Sequence, residues 1–462
     1  MRKDIANLKY VFSPKSIAVI GASDNPAKLG NVILKNLVDG RYGGKLYPIN
    51  PKYKELLGLR CYPAIEKIRG NVDMAIFAVP AKIAPGIAEE CGKKGVKGIV
   101  VLSAGFGEVG ENELERELGR VVRKYGMAMV GPNCLGVMNP EERVDSIFFP
   151  FYKFERPKAG GISLITQSGA VGSCVADLAA YYDVGFAKFV SYGNGATIND
   201  ADLVEYLGAD RKTEQILLYL EGTKDGKKLL EMLEKVNAKK PIAVLKAGKG
   251  KSAGEAAKSH TGNLAGNYLA YNAVFRESKV IEVDSVVELF HVVNMFSQPL
   301  PGGGRVGVLT DGGGLGVLTA DAIEKEGLEV AEFGEETKRK LREAMPGKVG
   351  IGNPLDIVAD SGTDVYRDAL RILLECGEVD SVIVIILFQA PAVDSRIVDV
   401  LVKESDRREK PIVVVAVGGE YTMENRKVLD GYGIPTYGCP LAAVKTLRRA
   451  TDYALFRRSM KR

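Results

Sequence analysis

His260 is one of only two histidines in 462 residues. It stands in KAGKGKSAGEAAKSHTGNLAG (Lys246 to Gly266), a stretch rich in Gly, Lys, Ser and Ala that follows a strand-like run, Pro241 to Leu245. An imidazole is the one side chain there suited to hold a phosphoryl group transiently. Ser259, Thr261 and Gly262 leave its ring uncovered and offer hydrogen bonds to phosphate. A histidine that travels between two sites belongs on such a loop; a loop histidine with no role is the plain alternative. His291 is the internal control. DSVVELFHVVNMF crowds it with apolar residues, as on a half-buried helix, and it reads as structural.

Four turns could surround a phosphorylated group. The loop Gly21 to Gly30 (GASDNPAKLG) joins a strand to a helix, and its glycines let backbone N–H groups approach an anion at the helix start. Ser23 and Lys28 lie within it. The next strand ends in YPINPK, with no Asp or Glu for ribose hydroxyls and with Lys52 as a cation. That disfavours NAD and suits a phosphorylated ribose, as in coenzyme A or NADP, unless Lys52 is only a solvated surface lysine. Gly131 to Gly136 (GPNCLG) sets Asn133 and Cys134 at a strand edge. Asn133 there could orient a thioester carbonyl or an acyl phosphate, while nothing beside Cys134 activates its thiol, so it reads as lining.

In TQSGAVG, Ser168, Gly169 and Ala170 open a helix and form a nest for a tetrahedral dianion. SYGNG, with Gly193 and Asn194, could close the same pocket. Glu221 ends the run QILLYLEG. A carboxylate at that edge could fix the tautomer of His260 and leave its other nitrogen to attack phosphorus; the plain alternative is a strand-end acid facing water. A serine-hydrolase elbow is not spelled by TQSG.

The elements that position these turns are apolar β-branched runs alternating with helical patterns, the signature of parallel α/β sheets. Strands are expected at Ser16–Ile20, Lys45–Ile49, Met74–Val79, Gly98–Ser103 and Ala128–Val130, then at Ile162–Thr166, Ala187–Ser191, Gln215–Leu220 and Pro241–Leu245. A third set is expected at Arg305–Thr310, Leu328–Phe333, Ser381–Phe388, Pro411–Val417 and Pro435–Tyr437. The fold class predicted is α/β, with three consecutive doubly wound parallel-sheet domains at 1–150, 151–298 and 299–462. GGISLITQSGAVG and GGRVGVLTDGGGLG open the second and third alike, as an internal duplication or two βα turns of independent origin would.

Hydrophobic residues make up 46% of the chain and charged ones 26%, the balance of a soluble globular protein. A net charge of +5 without a basic stripe speaks against nucleic acid as partner. Six scattered cysteines, with no CxxC pair and no Cys/His cluster of metal-ligand spacing, suit free thiols in a reducing compartment and no metal site. No apolar run opens the chain as a secretory signal would or reaches the length of a membrane span, so a cytoplasmic location is expected.

GASDNPAKLG, GPNCLG, TQSGAVG, SYGNG, LEG and KSHTG, in that order, resemble the NDP-forming acyl-CoA synthetases, above all the alpha subunits of archaeal ADP-forming acetyl-CoA synthetases; succinyl-CoA synthetase alpha chains are more distant relatives. The likeness runs through GIGNPLDI and the final GYGIPTYGCPLAAV. It implies a Rossmann-like CoA-binding domain followed by two flavodoxin-like ligase domains. It implies His260 as phosphohistidine, Glu221 as the acid that holds it, and Ser168 and Gly169 in the phosphate turn. Gly21, Ser23, Lys28, Gly30 and Lys52 fall where coenzyme A is held, and Asn133 and Cys134 are counted with them. The implied reaction is acyl-CoA + ADP + phosphate ⇌ acid + CoA + ATP, with phosphate near Ser168 and Ser191. No ATP-grasp module and no Walker sequence is visible, so the resemblance implies a separate ATP-grasp beta subunit binding ADP or ATP with Mg²⁺, in an α2β2 heterotetramer. The rival readings are a non-catalytic CoA-binding regulatory protein, the CoA-binding half of a protein acetyltransferase, and an NADP oxidoreductase.

Overall fold

The computed structural model describes residues 1–250, 252–253, 268–345 and 350–460. They form two compact units, Met1–Asp284 and Ser285–Arg462. The first holds two sheets. One is five-stranded and parallel, with Ser16–Ile20 between Lys45–Ile49 and Met74–Phe77, followed by Gly98–Val101 and Ala128–Val130. SIAVI, MAIF and GIVV are buried at every position because helices cover both faces of such a sheet.

The second sheet is seven-stranded. Its parallel part centres on Ala159–Thr166, with Phe186–Ser191 on one side and Gln215–Leu220, Ile242–Lys246 and Ile281–Val283 on the other. Gly136–Asn139 and Val144–Asp145 extend its edge antiparallel beyond Phe186–Ser191. These two short strands fall within 1–150 in sequence yet belong to the second sheet. A single apolar core explains this crossing: it runs from Ile17 and Met74 through Val137 and Val144 to Ile165 and Leu218. Burying each such side chain contributes about 1.5–3 kcal/mol.

The second unit holds a six-stranded sheet centred on Arg305–Thr310, flanked by Glu329–Val330 and Leu355–Asp356 on one side and by Ser381–Ile385, Ile412–Val415 and Thr436–Tyr437 on the other. The helix Val286–Met295, which falls within 151–298 in sequence, lies in this unit and packs on Pro440–Ser459. His291 on it meets the Tyr437 ring edge-on at 4.8 Å, and burial lowers its pKa, as fits a structural histidine.

With the two-residue strand Leu355–Asp356 left aside, the parallel strands of all three sheets run in the same order, second, first, third, fourth, fifth. In such a sheet the crossover direction reverses between the first and third strands, and the crevice at their carboxyl ends takes ligands. Among the described residues, no helix is long and apolar enough to cross a membrane.

Candidate active site

Two clefts of the first unit gather the candidate residues, each at strand carboxyl ends. The first, of about 710 Å³, is lined by Gly21, Ser23 and Lys28 after the first strand and by Asn50, Lys52 and Tyr53 after the second. Its two loops are tied together. Asn50 Nδ2 donates to the Ala22 carbonyl at 2.8 Å, and Asn50 Oδ1 accepts from the Lys52 amide at 3.0 Å. Ser23 is buried, its Oγ accepting from the Asn25 amide at 3.1 Å.

Gly21 has φ +88°, and a Cβ there would stand 2.3 Å from the Ala78 carbonyl oxygen. A Cβ on Gly30 would stand 2.0 Å from the Gly21 oxygen. Gly30 therefore does not line the cleft; it lets the helix Leu29–Asp39 start hard against the strand end. Lys28 and Lys52 are exposed at the cleft, and neither is held in an ion pair with a described residue.

The second cleft, of about 410 Å³, brings together Asn133, Cys134, Ser168, Gly169, Ala170, Gly193, Asn194 and Glu221. Leu29, Leu102, Phe148 and Phe149 form an apolar wall. Lys28 lines the first cleft and Leu29 the second, so the two adjoin at one helix start.

Ser168 caps the helix Gly169–Tyr181, its Oγ accepting from the Val171 amide at 3.3 Å. The first turn leaves N–H groups without intrahelical partners, which favours an anion at that end. Asn194 is fixed opposite: its Nδ2 donates to Glu108 at 2.6 Å and to Glu115 at 2.8 Å, and its Oδ1 accepts from Asn133 at 3.2 Å. Ser191 is fully buried and its Oγ accepts from the Leu135 amide at 3.1 Å, so it stitches two turns together and does not reach the cleft. Burial pushes the Cys134 thiol up to about 12, which keeps it neutral and makes it a wall of the cleft.

Glu221 is 6% exposed, so a solvated strand-end acid is not what the structure contains. Its Oε1 accepts from the Tyr219 hydroxyl at 3.3 Å, and burial together with this carboxylate raises the Tyr219 pKa. Gln167 Oε1 accepts from the amides of Glu221 at 2.9 Å and Gly222 at 3.0 Å. The turn at Ser168 and the acid are thereby joined across the crevice between the first and third strands of the sheet. His260 lies outside the described residues.

Gln167 and Lys246 escaped the sequence reading as functional residues. Gln167 sits inside TQSG, but its role depends on a strand that comes some fifty positions later. Lys246 opens the stretch expected as a loop after Pro241–Leu245, yet it is the last residue of the strand and is 3% exposed.

Residues 15–140 match the family described as a CoA binding domain, 159–296 the succinyl-CoA ligase like flavodoxin domain, and 306–449 the ligase-CoA domain. The chain is 41% identical over 441 residues to the alpha subunit of acetate–CoA ligase [ADP-forming] II of Pyrococcus furiosus, covering 94% of this chain and 95% of that one. The chain belongs to the ADP-forming acyl-CoA ligase family. Its likeness to acetate–CoA ligase [ADP-forming] I of Archaeoglobus fulgidus is 42% over 442 residues, which is 95% of this chain and 63% of that longer ligase. Among solved structures, the dinucleotide-forming acetyl-coenzyme A synthetase 1 of Ca. Korarchaeum cryptofilum, in complex with phosphate and ADP, superimposes with a TM-score of 0.91 at 35% identity, covering 98% of both chains. A ligase match across all three domains leaves no place for the regulatory reading, which needs only the first.

Proposed function

We propose that this chain is the acyl-CoA- and phosphate-handling subunit of an ADP-forming acyl-CoA synthetase, which converts acyl-CoA, ADP and phosphate to acid, CoA and ATP. The observation that carries the reading is the joining of an anion-accepting helix start, Ser168 to Ala170, to a buried acid, Glu221, through Gln167. The phosphorylated nucleotide end of coenzyme A occupies the first cleft, with Lys28 and Lys52 as counter-charges. Its thiol arm passes the helix start at Leu29 into the second cleft, where Asn133 faces the acyl group.

Phosphate held at Ser168, Gly169 and Ala170 attacks the thioester carbonyl. A C–O bond forms, the C–S bond breaks, and CoA leaves as the thiolate. The acyl phosphate then gives up its phosphoryl group to a nitrogen of His260, and the carboxylate acid departs. Glu221 accepts a hydrogen bond from the other ring nitrogen, holding the tautomer and stabilising the charged phosphohistidine. ADP with Mg²⁺, on an ATP-grasp partner subunit, takes the phosphoryl group as the N–P bond breaks. Each phosphoryl step depends on positioning and charge stabilisation. The names of the alpha-subunit relatives and the greater length of the single-chain ligase support a partner, which we infer to assemble as α2β2 in the cytoplasm.

His260→Ala tests the reading. The variant should make no ATP from acyl-CoA, ADP and phosphate, while acyl phosphate, trapped as a hydroxamate, still forms. Retained ATP synthesis would end the carrier role.

A further inference from the structure

Lys246 is the last residue of the strand Ile242–Lys246 and pairs in register with Leu220, the residue before Glu221. Its Nζ donates to the Glu221 carbonyl at 2.8 Å and to the Ala247 carbonyl, and stands 4.5 Å from the centre of the Tyr271 ring. Tyr271 in turn accepts the Thr223 amide at 2.9 Å. With Gln167 on the amides of Glu221 and Gly222, the backbone that carries the Glu221 carboxylate is held on both edges by side chains.

Burying an ammonium is costly unless something uses it. The third sheet shows that the scaffold does not demand one. Thr166 pairs with Tyr219 in the second sheet, and Thr310 with Ile385 in the third. Tyr219 then pairs with Leu245, and Ile385 with Val415. Two residues past Tyr219 and Ile385, Glu221 corresponds to Leu387; one residue past Leu245 and Val415, Lys246 corresponds to Ala416, which is fully buried. The lysine occurs where the acid occurs, and an alanine serves where it does not.

We propose that Lys246 is a positioning residue for phosphoryl transfer: it anchors the Glu221 peptide and supplies the buried positive charge that balances the Glu221 carboxylate beside the phosphorylated imidazole. This rests on the reading of Glu221 as the acid that holds the phosphohistidine. The electrostatics agree with the geometry. Burial lowers the Lys246 pKa to about 8, with the Glu221 carboxylate pulling it back up, and Lys249 and Glu282 acting further off in opposite senses. Lys249 is itself paired with Glu282 and Asp284, each at 2.7 Å, and the ring that the Lys246 ammonium faces is the neutral Tyr271.

The test is Lys246→Met in the full chain, copurified with any subunit it binds, with Lys246→Arg as the conservative variant. Acetyl-CoA, Mg²⁺ and labelled inorganic phosphate are added. Acyl phosphate is trapped with hydroxylamine, and the label on His260 is timed separately. Lys246→Met should trap acyl phosphate at near the wild-type rate but label His260 about tenfold or more slowly at pH 7. Its deficit should shrink as pH rises through about 8, because Lys246 loses its proton in the wild type and the two proteins then carry the same charge at that position. Lys246→Arg should restore most of the labelling.

Labelling of Lys246→Met at the wild-type rate, an equal loss of both steps, or a deficit that does not change with pH would each overturn the role. Failure of Lys246→Met to fold would also overturn it, since the matching position of the third sheet holds the apolar, fully buried Ala416. If wild type labels no histidine, the reading of Glu221 falls and this inference with it.

Discussion

In the second and third sheets alike, the first strand ends in a threonine, Thr166 or Thr310, whose hydroxyl turns back on the carbonyl two residues on, at 2.7 and 3.0 Å. A helix follows each, and each helix packs a glycine, Gly172 or Gly316, against the methyl group of that threonine. The next residue, Gln167 or Asp311, reaches across to an amide after the third strand: Glu221 in one sheet, Leu387 at 3.0 Å in the other. The scaffold is thus the same to the level of single hydrogen bonds. Ser168, Glu221 and Lys246 of the second sheet stand where the third has Gly312, Leu387 and Ala416. A doubly wound sheet supplies a crevice wherever its order reverses, and of these two only the second sheet's carries a polar side chain at all three of these positions.

The sharpest way to break the comparison is to remove the acid. Glu221→Gln should lower the yield of phosphohistidine about 100-fold, the low end of what a positioned acid or base contributes. Asp311→Asn, at the matching crossing of the third sheet, should leave turnover within about twofold, the level of an uninvolved site. Comparable losses from both would mean that the third sheet also does chemistry.

The paired glycines come next. A Cβ on Gly172 would stand 2.5 Å from the Thr166 methyl, and one on Gly316 would stand 3.0 Å from the Thr310 methyl. Both alanine variants should lose stability, by about 1–3 kcal/mol, with Gly172→Ala the worse. Only Gly172→Ala should raise the KM for phosphate, because it displaces the helix that presents Ser168. Chemical denaturation and phosphate titrations check the two halves.

A pH prediction sharpens the picture of the second sheet's surroundings. Burial raises Asp200 from 3.8 to about 6 despite its bonds from the Ala201 amide and Thr223. A raised carboxyl binds its proton more tightly in the folded state. Its stabilising contribution is therefore complete below about pH 4 and is lost as pH rises through about 6. Asp200→Asn should gain Tm relative to wild type across that window. A difference that stays constant with pH would contradict the assignment.

The smallest effects concern the caps. Ser168→Ala should cost about 1 kcal/mol of stability and weaken phosphate binding. Gly312→Ser should change stability by only a few tenths of a kcal/mol and leave turnover as it was, since a hydroxyl alone does not make the third crevice a site.

The main strands and the turns were legible in the sequence because parallel strands buried on both faces read as unbroken apolar runs. Ser16–Ile20 and Gln215–Leu220 have the bounds expected. Gly136–Asn139, Ile281–Val283 and Leu355–Asp356 were not legible: each is short and becomes a strand only by meeting a partner distant in sequence. The same holds for function. Ser168 and Glu221 announce themselves as a polar residue at the end of an apolar run. Gln167 and Lys246 act through backbone groups of another strand end, so their part emerges only when the register between strands is known.

The most direct test of the account is to purify the chain with any subunit that accompanies it, supply acetyl-CoA, Mg²⁺ and labelled phosphate, and map the label by mass spectrometry. Acid-labile label on His260, discharged by ADP, is the predicted result. Label on another residue, or none while CoA remains bound and acyl phosphate accumulates, would contradict the phosphohistidine relay.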